Sequence, residues 1–189
     1  MRHIPNILTF LRLLLVPCFL GASMQGMYVT AFVIFVSAAL TDVLDGWLAR
    51  RFNVRSRLGA LLDPAADKTL MVCGFLYYTF AAKLPVIELP GWLTFSVFIR
   101  DFLIAVFAYL MYTRVHITRF PPSVAGKIST VLQAVTLAAT IATNAFAPGL
   151  EKYVVLLFQA SLIMTLVSGW GYLRRAALML HADDSLARA

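Results

Sequence analysis

Six stretches of the chain are apolar over the roughly 20 residues needed to cross a bilayer as a helix. They run over 8–25, 28–49, 60–82, 91–112, 125–147 and 153–173. The connectors between them are short and hold the helix-breaking residues: Gly21 and Gly26, Pro85 and Pro90, Pro121 and Pro122, Pro148 and Gly149. Almost no chain is left over for a soluble part, and no internal repeat is visible. The pattern predicts an all-α integral membrane protein with six transmembrane helices, forming a single domain over 1–189. At the N-terminus, Arg2 and His3 precede an apolar run, and Gly21-Ala22-Ser23 has the small residues of a signal-peptide cleavage region. Pro5 and Arg12 interrupt that run and further spans follow, so the first segment is expected to be retained. Residues 2–8 are expected to form a short interfacial helix leading into it.

Composition agrees with the pattern. Of the 189 residues, 61% are hydrophobic and 13% charged, against about 45–50% and 25% in soluble domains. That excludes both an ordinary solvated surface and a disordered chain. Cys18 and Cys73, the two cysteines, make neither a disulfide framework nor a metal-binding spacing. The net charge of +7 belongs with anionic lipid headgroups. No basic run is interleaved with aromatics, so no nucleic-acid partner is expected. The positive charges also orient the chain. Arg50, Arg51, Arg55 and Arg57 fill one connector; Arg114, Arg119 and Lys127 flank another; Arg174, Arg175 and Arg188 lie in the tail. The alternate connectors carry few charges. Both termini and both basic connectors are therefore expected on the cytoplasmic side; the membrane is expected to be a bacterial inner membrane.

The acids are concentrated. Four of the nine lie between Asp42 and Asp67, all at the ends of apolar segments. At about 100° per residue, Asp42, Asp45, Gly46 and Ala49 share one side of the second segment, and Gly59, Asp63 and Asp67 share one side of the third. The short basic connector makes the two segments antiparallel neighbours, so four carboxylates are expected to converge near one membrane boundary. Unpaired, such a group repels itself and resists leaving water. Oxygen-only ligation selects Mg²⁺, Mn²⁺ or Ca²⁺, and a carboxylate-bridged metal pair is a device for gripping a diphosphate and its leaving group. Three other readings compete: a structural ion network with Arg50, Lys68 and Arg100, a cation or proton pathway, and a scaffold role without chemistry. Acids at helix ends on one side, without repeated halves, speak against a transporter.

The run Asp42-x2-Asp45-Gly46-x2-Ala49-Arg50-x8-Gly59-x3-Asp63-x3-Asp67 resembles the signature of the CDP-alcohol phosphatidyltransferases, with all eight specified positions and both gaps in place. Ile4-Pro5-Asn6-x2-Thr9-x2-Arg12 and the six-helix layout are also similar to that family. The resemblance implies transfer of a phosphatidyl group from CDP-diacylglycerol to an acceptor hydroxyl, with release of CMP. It implies that Asp42, Asp45, Asp63 and Asp67 surround two Mg²⁺ or Mn²⁺ ions and that Asp67 is the base for the acceptor proton. It implies that Asp45, Gly46, Ala49, Arg50 and Gly59 contact the cytidine nucleotide. It also suggests a homodimer among membrane lipids.

The acceptor is read from the later segments. Ile99-Arg100-Asp101 and the run from Ala125 through Gly126 and Lys127 to Gln133 resemble the glycerophosphate and cardiolipin synthase branches. Arg100, Arg114, Arg119 and Lys127 are candidates to bind an acceptor phosphate; for each, a positive-inside charge or a local salt bridge is the competing reading. The glycerophosphate branch tends to carry a second arginine two turns after the first, where this chain has Ala108. With an Arg-Asp pair in place of Arg-Glu, the pattern is more like the cardiolipin synthases, whose acceptor is phosphatidylglycerol; glycerol 3-phosphate is the alternative.

Overall fold

A computed structural model describes the backbone of residues 4–52, 68–81, 84–114 and 123–186, and the side chains of 14–41, 68–81, 84–109, 113 and 123–174. All regular structure among the described residues is helical. Helix α1 spans Ile4–Met24, α2 Tyr28–Phe52 and α3 68–76, the last continuing as a π-helical stretch over Tyr77–Ala81. Helix α4 spans Gly91–Arg114, α5 Val124–Ala145 and α6 Glu151–Leu186, with a 3₁₀ turn over Pro148–Leu150 before the last. Three of these are long and apolar enough to cross a membrane, over Gly91–Tyr109, Val124–Ala145 and Pro148–Arg174. Within the described side chains, α1 and α2 contribute the shorter apolar stretches Leu14–Met24 and Tyr28–Thr41.

Two boundaries differ from the sequence pattern. Helix α1 is continuous from Ile4, so residues 4–8 are its first turns and not a separate helix. Pro5 sits where a missing amide costs no helical hydrogen bond, which makes it a favourable starter. Helix α6 continues to Leu186, well beyond the apolar window ending at 173. Its extension is rich in Ala and Leu, which propagate a helix whether or not lipid surrounds it.

The chain divides into two compact units, Met1–Leu89 with Leu137–Val154, and Pro90–Thr136 with Val155–Ala189. In the first unit α1 ends in a Schellman cap. Gly26 adopts φ +72°, the Met27 amide donates to the Ala22 carbonyl at 2.9 Å, and the Gly26 amide donates to the Ser23 carbonyl at 3.1 Å. The turn returns the chain as α2, and Phe19 meets Phe35 with ring centroids 5.8 Å apart. Tyr78, from the π-helical stretch, stacks near Phe19 at 6.1 Å and shares a 3.0 Å hydrogen bond with the Ser23 hydroxyl. Gly74 allows α3 to meet α5: a β-carbon there would lie 2.6 Å from Leu137 Cδ2, and Leu137 is fully buried.

The connector before α4 is held from a distance in sequence. Asn144 Oδ1 accepts from the Val86 and Ile87 amides at 3.0 and 3.2 Å, and Asn144 Nδ2 donates to the Ile87 carbonyl at 2.8 Å. One side-chain amide thus stands in for the strand partner that an irregular, half-buried segment lacks. Gly74→Val is expected to force Leu137 off its rotamer and cost about 1–3 kcal/mol. Thermal unfolding in detergent should show the loss as a lowered midpoint, and an unchanged midpoint would contradict the packing described.

Candidate functional site

The acidic motif begins on α2, whose backbone stays helical through Phe52. Positions 42, 45, 46 and 49 therefore keep the helical register that their spacing requires; Arg50 follows on the same helix. The side chains of Asp42, Asp45 and Arg50 lie outside the described ones, as do residues Gly59, Asp63 and Asp67. Lys68, which ends the motif's neighbourhood, opens the described part of α3 and is exposed. Among the described residues no group of three or more metal-binding side chains occurs. The donor set fits a hard divalent ion by its chemistry: four carboxylates, no sulfur and no imidazole.

The acceptor candidates separate. Arg114 is the last residue of α4, its side chain beyond the described ones, and Arg119 lies outside the described residues. Lys127 is exposed on the first turn of α5. Arg100 is different: it sits within the apolar span of α4 and is only 8% exposed. Its Nη1 donates to Asp101 Oδ1 at 2.7 Å, its Nη2 to Ser168 Oγ at 2.8 Å and to the Gly126 carbonyl at 3.3 Å, and its Nε to Ser168 Oγ at 3.3 Å. Among the described residues the neighbouring Asp101 is the ion-pair partner of Arg100; the acidic cluster, its other competing partner, lies outside the described side chains.

The same end of α5 is built around Ser123. Its hydroxyl accepts from the Gly126 amide at 3.0 Å, an N-cap on the third residue of the helix, and its own amide donates to Tyr172 Oη at 3.2 Å. Below it, within the second unit, a row of buried polar side chains joins α5 to α6. Ser129 pairs with Thr165, Gln133 Nε2 donates to both, and Thr136 pairs with Ser161 at 2.6 Å. Partners on α5 rise in number as those on α6 fall, so the two helices run antiparallel. Sequence reasoning missed this row. Its signal was Ser129, Gln133, Thr136 and Thr140 recurring at helical spacing inside an apolar segment, with Ser161, Thr165 and Ser168 doing the same on α6.

Comparison with known proteins decides the family. The CDP-alcohol phosphatidyltransferase profile matches residues 2–170. The chain belongs to the CDP-alcohol phosphatidyltransferase family. It is 32% identical over 180 residues to a probable phosphatidylglycerophosphate synthase of Mycobacterium tuberculosis, covering 92% of this chain and 81% of that one. It is 29% identical over 182 residues to the CDP-diacylglycerol--glycerol-3-phosphate 3-phosphatidyltransferase of Aquifex aeolicus, covering 96% and 99%. It is 31% identical over 185 residues to the human cardiolipin synthase (CMP-forming), covering 89% of this chain and 60% of that one.

CDP-alcohol phosphatidyltransferases are membrane transferases of phospholipid biosynthesis that generally use divalent metals, so the transporter and scaffold readings of the chain give way to an enzyme. Gln133→Leu is expected to cost only about 1 kcal/mol, because the hydroxyls it bridges can turn to carbonyls of their own helices. Unfolding in detergent measures this, and a loss several times larger would mean that the row is cooperative.

Proposed function

We propose that this protein transfers the phosphatidyl group of CDP-diacylglycerol to a hydroxyl of phosphatidylglycerol, releasing CMP and forming cardiolipin. The observation that carries the transfer chemistry is the complete eight-position acidic motif from Asp42 to Asp67 in a chain of this family. In this reading Asp42, Asp45, Asp63 and Asp67 hold two divalent ions, Mg²⁺ or Mn²⁺. Such ions neutralise a diphosphate and stabilise the departing phosphate oxygen. Asp45, Gly46, Ala49, Arg50 and Gly59 contact the cytidine nucleotide; the small residues leave room for a flat base and sugar.

Asp67 takes the acceptor proton. An aspartate has an ordinary pKa near 4, low for a base, yet it accepts a proton from a hydroxyl held within hydrogen-bond reach as the oxygen attacks phosphorus. The new bond joins the acceptor oxygen to the phosphatidyl phosphorus. The bond that breaks joins that phosphorus to the oxygen leaving with CMP.

The lipid acceptor is favoured by the Arg100-Asp101 pair and by Ala108 two turns on. A cation held within an apolar span suits a phosphate that arrives on a lipid. Arg114, Arg119 and Lys127 supply further positive charge to an anionic headgroup. Glycerol 3-phosphate is the second reading, favoured by the Aquifex aeolicus relative, which is named for that acceptor and matches almost end to end. The proposal includes a single membrane domain over 1–189 with six spans and both termini cytoplasmic. It also includes an active site facing the cytoplasm at a bacterial inner membrane, and a homodimer.

Purified protein given CDP-diacylglycerol, with phosphatidylglycerol and glycerol 3-phosphate offered in parallel, is expected to release CMP and form cardiolipin. Lipid chromatography separates the products; phosphatidylglycerophosphate in its place would establish the second reading, and no CMP with either acceptor would end the proposal. Chelation should abolish turnover, and Mg²⁺ or Mn²⁺ should restore it. Asp67→Ala should fold and lose about 10²–10⁴ in kcat; full activity in that variant would remove the base assignment.

A further inference from the structure

We infer that Ser168 and Gly126 are positioning residues that aim the Arg100 guanidinium at the acceptor's phosphate. This rests on the proposal that Arg100 binds that phosphate and adds how the arginine is held. A guanidinium has five N–H donors in a rigid plane. Ser168 Oγ takes two of them, from Nε at 3.3 Å and from Nη2 at 2.8 Å, and the Gly126 carbonyl takes the second from Nη2 at 3.3 Å. The whole Nε–Nη2 edge is therefore occupied by protein. Asp101 takes one hydrogen of Nη1 at 2.7 Å. Among the described residues, the other Nη1 hydrogen has no acceptor, which leaves one donor in a direction set by the other four.

The arrangement exceeds what charge compensation requires. Asp101, one residue away on the same helix, already supplies a counter-charge. The contacts to α5 and α6 add orientation, and two helices are shaped to make them. At Gly126 a β-carbon would lie 3.2 Å from Arg100 Nη2, 3.0 Å from Ser123 Oγ and 3.2 Å from Tyr172 Oη, so a side chain there presses on the guanidinium and on the cap together. At Gly169 a β-carbon would lie 3.9 Å from Arg100 Cγ, ordinary contact. The Gly126 amide is fixed by the Ser123 cap, and Tyr172 Oη fixes the Ser123 amide, so the carbonyl facing Arg100 belongs to a braced turn.

The test compares Arg100→Ala, Ser168→Ala, Ser168→Thr and Gly126→Ala in the full chain, reading kcat, the KM of each acceptor, the KM of CDP-diacylglycerol and the unfolding midpoint. Ser168→Ala is expected to raise the KM of the accepted substrate about tenfold, the scale of a lost charge-assisted hydrogen bond, with the KM of CDP-diacylglycerol unchanged. Ser168→Thr keeps a hydroxyl and should restore the acceptor KM. Gly126→Ala should raise it in the same way and gives a second reading where Ser168→Ala folds poorly. If Arg100→Ala raises the acceptor KM while Ser168→Ala and Gly126→Ala leave it alone, or lower only the unfolding midpoint, the positioning inference is overturned and the role of Arg100 stands. If Arg100→Ala itself leaves the acceptor KM unchanged, the role of Arg100 falls and the inference with it.

Discussion

A polar group placed inside an apolar span must find its partner within the protein, because hydrocarbon offers none. That constraint accounts for the polar contacts between helices among the described residues. Ser23 answers Tyr78, Asn144 answers the 86–87 backbone, and the hydroxyl and amide row of α5 answers that of α6. Apolar side chains do not distinguish one helix face from another in lipid, since a leucine is as content against an acyl chain as against another leucine. The polar pairs do distinguish them, and so they specify which helix faces meet and in what register.

Within the second unit the row has a direction. From Thr136 and Ser161 through Gln133 and Thr165 it leads to Ser168 and Gly126, where neutral partners give way to a cation. The same two helices that pair through weak, replaceable hydrogen bonds in their middle hold an arginine at one end through bonds that are charge-assisted and harder to replace. An arginine at such a depth costs several kcal/mol unless its donors are met, and four of the five are. The end of the row that carries the charge also carries the capped start of α5 and the exposed Lys127.

Hydropathy made the all-helical class and three long apolar spans legible, because a spanning helix must be apolar along its length and its connectors must break it. The ends were less legible. At Ile4 and again after Arg174 helix propensity continues where hydropathy stops, and a window that looks for lipid-compatible residues cannot see that. The acidic motif was legible as a spacing: its first half keeps the helical register on α2, while Gly59, Asp63 and Asp67 lie outside the described residues. The surroundings of Arg100 were half legible: Asp101 is its neighbour in sequence, whereas Ser168 lies 68 residues away and reads locally as one more small residue in a membrane helix. Long-range pairing of ordinary residues leaves no local signal; only the repeated spacing of polar residues on α5 and α6 hinted that two faces were meant for each other.

The charges of Arg100 and Asp101 cancel in sum, and this bears on how an anionic substrate would be chosen. A pair of zero net charge exerts little pull at a distance, so whatever Arg100 does for a phosphate it does at contact, through the direction of an N–H. Lys127, exposed on the first turn of α5, acts in the opposite manner: its field reaches about 8–10 Å into solution before salt screens it, and its flexible stem gives no fixed direction. In the proposed reading, attraction falls to Lys127 on α5 and recognition to Arg100 on α4. A substrate offering only charge would profit from the lysine alone. One that also places a phosphate oxygen against the arginine gains the second interaction, and the braced Gly126 turn limits how far the guanidinium can move to meet anything else.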